Sequence, residues 1–226
     1  MSNGHGTKVR KRNGSVEPLN LEKIHKVVEE ACEGLGGSIS SSQVEMNSGI
    51  QFYDGITTAE IQEILVRSAS DLISLDAPNY QFVAARLLLY GLSKQVFGPE
   101  WTNGYPPVLE HATKCVEKGI YDSGIIGKYS DEEWEALNRV IDHDRDMLFT
   151  YAGLRQVVDK YLVQDRSSGE VYETPQYMYM MIAATLFQNY KEDRLEYVRE
   201  YYNAISRHKI NIPTPLSLIH ISEPTR

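Results

Sequence analysis

Three features of the sequence predict a mainly α fold. Apolar residues recur three or four positions apart in long runs, capping or proline residues stand where several runs begin, and only short segments alternate in the manner of strands. The extended segments sit at two hairpin signals, so β structure is expected as small caps and not as layers. A chain of 226 residues has room for one large or two small domains of roughly 100–200 residues each. Its 16 Gly and 9 Pro are too few for a collagen-like or low-complexity chain.

The first hairpin is expected over 9–20. Val9-Arg10-Lys11-Arg12 alternates, Asn13-Gly14 signals a type I′ turn, and Ser15 to Leu19 returns. Asn20 then caps a helical run carrying Leu21, Ile24, Val27, Val28 and Ala31, which stops near Gly34. A second run covers about 42–52 and breaks at Phe52-Tyr53-Asp54-Gly55. Thr57 or Thr58 caps the third, whose buried stripe is Ile61, Ile64, Leu65, Ser68, Ala69, Leu72 and Ile73. Pro78 pre-sets the fourth, about 79–97, which Gly98-Pro99 stops. A hairpin and four helices make a self-contained unit over 7–98.

A Gly/Pro-rich joint follows at Gly98 to Pro107, opening a helical linker over 99–145. Further runs are expected at 107–118, 131–141, 146–161, 175–190 and 193–207, with a second hairpin around Ser167-Ser168-Gly169. Lys209 to Pro215 is extended, like the first strand of a larger sheet, and closes a third region over 146–215.

Composition and spacing exclude several function classes. The longest apolar stretch, Met180 to Phe187, is far short of the ~18 residues that span a bilayer. The amino terminus lacks the apolar core of a secretory signal, and two cysteines, Cys32 and Cys115, form neither a disulfide framework nor a zinc site. Both read as small buried hydrophobes in a soluble, cytoplasmic chain. The net charge of −8 opposes sequence-independent nucleic-acid binding. Gly124 to Ser130 lacks the four-residue gap of a phosphate loop. Asp142 to Asp146 has alternating acids, but Met147 and Gly153 stand where a calcium loop needs Gly and Glu. The tyrosines from Tyr172 to Tyr202 fall at helical spacing and read as core or interface.

One feature points to a ligand. Residues 1–26 hold six Lys/Arg against two Glu, whereas the remaining 200 hold 17 against 29 Asp/Glu. Lys11 and Arg12 flank the hairpin turn, and Lys23 projects from the first turn of the helix that Asn20 caps. A helix N-terminus beside lysines is a natural seat for a phosphate. From spacing alone such charges are more often simply a solvated strand and helix face.

The succession Lys11-Arg12-Asn13-Gly14-Ser15, Glu17, Asn20-Leu21, Lys23-Ile24, then Phe52 to Thr58, then Ala77-Pro78-Asn79-Tyr80-Gln81 and Ala84-Ala85-Arg86, resembles the ATP-cone, a regulatory nucleotide-binding domain. With Ile141 to Asp146, Lys160-Tyr161-Leu162, Tyr172 to Gln176 and Ile212 to Pro215, the series resembles the large (alpha) subunit of class I ribonucleoside-diphosphate reductases. The likeness covers about 7–215 and implies a cone, a linker, and the helical beginning of a ten-stranded α/β barrel. It implies that Lys11 and Arg12 meet phosphate, that Glu17, Pro18, Leu19, Asn20, Leu21, Glu22 and Lys23 wrap ATP or dATP, and that Thr58 and Lys94 close the pocket. Thr214 matches a substrate-contacting threonine, while Gln62 and Ser93 depart from the family pattern.

The family's reaction replaces the ribose 2′-hydroxyl by hydrogen. The resemblance implies homodimeric large subunits, a small (beta) subunit bearing a metal and tyrosyl radical, and thioredoxin or glutaredoxin as reductant. It implies no metal on this chain. Neither cysteine matches a redox position, so the chain is expected to retain the sensor without catalysis. After Pro215 the likeness stops, and 216–226 reads as a foreign tail outside the fold. Two other readings are a stand-alone nucleotide-sensing regulator and a helical interaction module. The regulators of that kind place a four-cysteine zinc ribbon ahead of the cone, and no cysteine precedes Lys8 here.

Overall fold

The computed structural model describes residues 6–165, 167–213 and 219–221. They divide into two compact units. The first holds the residues up to Gly91 with Met147–Arg155, and the second holds Leu92–Asp146 with those from Gln156 onward.

In the first unit β1 (Lys8–Arg10), β2 (Val16–Pro18) and β3 (Ile56–Thr57) form a sheet in the order β2-β1-β3. β1 is antiparallel to β2, with Val9 opposite Glu17, and parallel to β3, with Arg10 opposite Thr57. The hairpin stands where Asn13-Gly14 places it, but its turn is not the expected type I′. That turn needs positive φ at both residues, and only Gly14 of the two has it, at 83°. Lys11 instead closes a three-residue loop, accepting from the Gly14 N–H at 2.9 Å and donating to the Ser15 carbonyl at 2.8 Å. Asn13 Oδ1 stays within the loop, accepting from the N–H (3.0 Å) and hydroxyl (2.7 Å) of Ser15.

Four helices follow: α1 (Leu21–Cys32), α2 (Ser41–Gly49), α3 (Thr58–Ser70) and α4 (Tyr80–Phe97). Their apolar stripes meet the sheet in one core. Val9 and Ile56 enter from the strands, Val28 and Ala31 from α1, and Val44 from α2; Ile61, Leu65 and Ala69 enter from α3, and Val83 and Leu87 from α4. The loop after α1 is tied by Tyr80, whose hydroxyl accepts from the Ser40 N–H (2.9 Å) and donates to Gln43 Oε1 (2.8 Å). Arg86 covers the end of α1 by donating to the carbonyls of Ala31 (3.2 Å) and Glu33 (2.6 Å). The Ala77-to-Arg86 motif thus works here as scaffold.

α3 has a full capping box at Thr57, which fixes the cap one residue before Thr58. The Glu60 N–H donates to Thr57 Oγ1 (3.1 Å), and the Thr57 N–H donates to Glu60 Oε2 (2.8 Å). Thr57→Ala is expected to lower the unfolding free energy by ~1–2 kcal/mol, read by thermal melting. An unchanged melting temperature would show that α3 does not depend on its cap. Gln62 ties α3 to α4. Its Nε2 donates to the Leu87 carbonyl at 2.6 Å, and a Cβ at Gly91 would lie 2.8 Å from Gln62 Cγ, so α3 and α4 touch here.

The second unit carries α5 (Val108–Glu117), α6 (Asp131–Val140), the end of α7 (Tyr151–Lys160), the hairpin β4 (Gln164–Asp165) and β5 (Glu170–Val171), α8 (Pro175–Phe187) and α9 (Arg194–Ser206). Every residue of α8 from Pro175 to Ala184 is buried, so the longest apolar stretch is a core helix, packed against α9. Tyr177, Tyr179 and Tyr202 are buried, in keeping with a packing role. Ser123–Lys128 is a 3-10 turn capped by Asp122, whose carboxylate takes the Gly124 N–H at 2.8 Å, where a phosphate loop would leave that donor to its ligand. Part of the tail set aside as foreign packs against this unit. His220 Nε2 lies 2.8 Å from Glu173 Oε2, and Ile221 bridges Tyr121. No helix among the described residues is long and apolar enough to cross a membrane.

Candidate nucleotide site

The sheet decides which of the expected residues can meet. Side chains alternate across a strand, so Lys11 and Glu17 share the inner face with buried Val9, while Lys8 and Arg10 face outward. Lys11 and Glu17 form an ion pair at 2.8 Å, each side chain about 40% exposed (38% and 40%). The Lys11 ammonium holds the Glu17 carboxyl below the usual carboxylate range, and the charge of Lys23 adds to the effect. Lys11, Glu17 and Lys23 therefore share one electrostatic neighbourhood.

Asn20 caps α1 as expected, its Oδ1 accepting from the Lys23 N–H at 3.0 Å. The cap takes one of the first-turn donors that a phosphate could use. Glu22 also lies in that turn, where its charge opposes an anion. Pro18 and Leu21 are exposed, whereas Leu19 packs against the core and donates its N–H to the Thr7 carbonyl at 2.9 Å. Arg12 is exposed in the turn.

Thr58 follows β3, a strand that the sequence pattern does not predict. Arg10 pairs with Thr57, the last residue of β3, and Thr58 follows as the first residue of α3. Thr58 is half-buried at the first position of α3, and the cap role expected for it belongs to Thr57. Lys94 stands in the last turn of α4, within the second unit. Thr214 lies outside the described residues.

Tyr53 and Glu60, to which the sequence assigns no role, meet beside Thr57. The Tyr53 hydroxyl donates to Glu60 Oε1 at 2.8 Å. Bonds from the Thr57 N–H and hydroxyl, and then from Tyr53, hold the Glu60 carboxyl low. The Thr-x-x-Glu spacing of a capping box was the available signal.

Burial pushes both thiols up, Cys115 to about 12, which disfavours the reactive thiolate. Cys115 is buried as expected, while Cys32 is only partly so. Among the described residues no three His, Cys, Asp or Glu side chains are grouped to hold a metal.

Residues 7–95 match the ATP cone domain, and residues 147–218 match the ribonucleotide reductase all-alpha domain. Across 96% of its length the chain is 49% identical to ribonucleoside-diphosphate reductase 1 subunit alpha of Escherichia coli (strain K12). Over the same share it is 46% identical to the subunit alpha of Haemophilus influenzae and 40% identical to that of Enterobacteria phage T4. The chain belongs to the ribonucleotide reductase large-subunit family. It spans about 28% of the length of these large subunits. The cone and the all-alpha domain account for the mainly helical fold with small sheets.

Proposed function

We propose that this chain is the regulatory, amino-terminal stretch of a ribonucleoside-diphosphate reductase large subunit. Its cone binds ATP or dATP through Lys11, Arg12, Glu17 to Lys23, Thr58 and Lys94, and Thr214 belongs to the substrate side of the catalytic region. The whole protein reduces ribonucleoside diphosphates to 2′-deoxyribonucleoside diphosphates. It works as a homodimer with a radical-bearing small subunit and draws electrons from thioredoxin or glutaredoxin.

The observation that carries the nucleotide reading is the Lys11–Glu17 pair beside the first turn of α1, with Lys23 acting on the same carboxylate. Lysines supply point charge, and the backbone donors of the helix start supply direction. Titration calorimetry of the chain with ATP and dATP tests this. Micromolar binding is expected, and Lys23→Ala and Lys94→Ala should each weaken it by ~1.5–3 kcal/mol, the scale of a charge-assisted bond. No heat with either nucleotide would return the fold to a helical interaction module, and unchanged affinity in both variants would put the pocket elsewhere.

A further inference from the structure

The joint between β1 and β3, just before Lys11 on one strand and Thr58 on the other, is a slight one. It is two residues long and parallel, Val9 to Ile56 and Arg10 to Thr57. Parallel pairing is less stable per residue than antiparallel, and so short a ladder holds little by itself. Slippage by one residue would turn every side chain of β1 to the opposite face, Lys11 included.

Side chains brace the joint at both ends. Asp54 Oδ1 accepts the Lys8 N–H at 2.7 Å, and the Gly55 N–H donates to the Lys8 carbonyl at 2.8 Å. Both backbone groups of Lys8 are thus gripped by one turn, which needs Gly55 at φ 84° to bring its N–H round. At the far end Glu60 holds the Thr57 N–H and hydroxyl, and the Tyr53 hydroxyl holds Glu60. The turn residues Tyr53 and Asp54 therefore fasten β3 to its neighbours before and after the ladder.

We propose that Asp54 is a positioning residue for nucleotide binding, acting through Lys11 by clamping Lys8 and so fixing the register of β1 on β3. This rests on the cone reading above. Asp54 needs no contact with the nucleotide. Its carboxylate replaces the ladder bond that the short β3 does not extend far enough to give.

The experiment is calorimetry with ATP on the full chain, comparing Asp54→Ala and Asp54→Asn in the parent and in Lys11→Ala. Asp54→Ala should weaken ATP about tenfold, the scale of a bond to a charged acceptor. Asp54→Asn should stay within about twofold, because its amide oxygen can accept the same N–H. In the Lys11→Ala background Asp54→Ala should cost little more, since both act at one point. Parent-like affinity in Asp54→Ala, or a full additive loss on top of Lys11→Ala, overturns the proposal. Should Asp54→Ala not fold, Tyr53→Phe removes an exposed bond at the other brace. A roughly threefold loss is then expected by the same bond logic, absent in the Lys11→Ala background; equal affinity overturns the proposal. A folded parent that binds no ATP defeats the cone reading itself, and this proposal with it.

Discussion

Lys11→Ala is expected to weaken ATP binding by about 3 kcal/mol, roughly two orders of magnitude, at the upper end for a charge-assisted contact. The cost is large because Lys11 has two charges to answer. In the free protein it neutralises Glu17 at 2.8 Å. Its removal therefore both deletes a cation from the phosphate seat and leaves a carboxylate facing the incoming triphosphate, a like-charge penalty. The double variant Lys11→Ala with Glu17→Ala should recover part of the loss, and calorimetry at fixed salt gives the numbers. A double variant as weak as Lys11→Ala would mean that Glu17 makes a favourable contact of its own with the nucleotide.

Asp146→Asn is expected to stabilise the second unit at pH 8 by on the order of 1–3 kcal/mol, with the gain vanishing near pH 4. Asp146 is fully buried, and its Oδ1 takes one bond, from Gln176 Nε2 at 2.7 Å. Gln176 in turn accepts from Tyr202, whose hydroxyl accepts from the Asp142 N–H at 2.9 Å. Burial, with the nearby Asp142 charge helping, pushes the carboxyl up to about 7. A folded value above the unfolded one means the native state holds the proton longer, so stability falls as pH rises from about 4 to about 7. A rise from the ordinary aspartate range to about 7 corresponds to roughly 4 kcal/mol, reduced by the cost of burying an amide N–H. His111 and His143 run the other way. Burial pushes both down to about 4, so they lose stability as pH falls from the ordinary histidine value of 6.5 toward 4. Urea unfolding at pH 5 and pH 8 separates these contributions. An Asp146→Asn variant that is less stable than the parent at pH 8 would show the carboxylate ionised and well served in the fold.

α1 and α3 were legible because each carries a stripe at helical spacing and a capped beginning, whereas α8 shows only a continuous apolar run after Pro175. Asn20 caps α1 where expected, and Pro78 precedes α4. The hairpin was legible as a place but not as a turn type, since Asn13-Gly14 permits two loop lengths and only the φ of Asn13 decides between them. β3 was missed because two residues have no periodicity to read, and Ile56-Thr57 looked like the approach to a cap. That omission hid the parallel pairing that sets Arg10 opposite Thr57. The buried chain of Asp146, Gln176 and Tyr202 was also invisible: counting acids in Asp142 to Asp146 could reject calcium, but only the packed partners show where each carboxylate points. The cap at Asn20 was legible because it lies within one helical turn of Lys23, where spacing and geometry nearly coincide, whereas the Lys11–Glu17 ion pair follows from strand pairing that spacing does not show.

The central claim is that an adenine nucleotide triphosphate sits over the inner face of β1 and the start of α1. A crystal structure of this chain grown with ATP tests it most directly. The account predicts phosphate oxygens within hydrogen-bonding reach of Lys11 and Lys23, with Glu17 drawn away from its 2.8 Å pairing. A nucleotide bound elsewhere, with the Lys11–Glu17 pair intact, would contradict it.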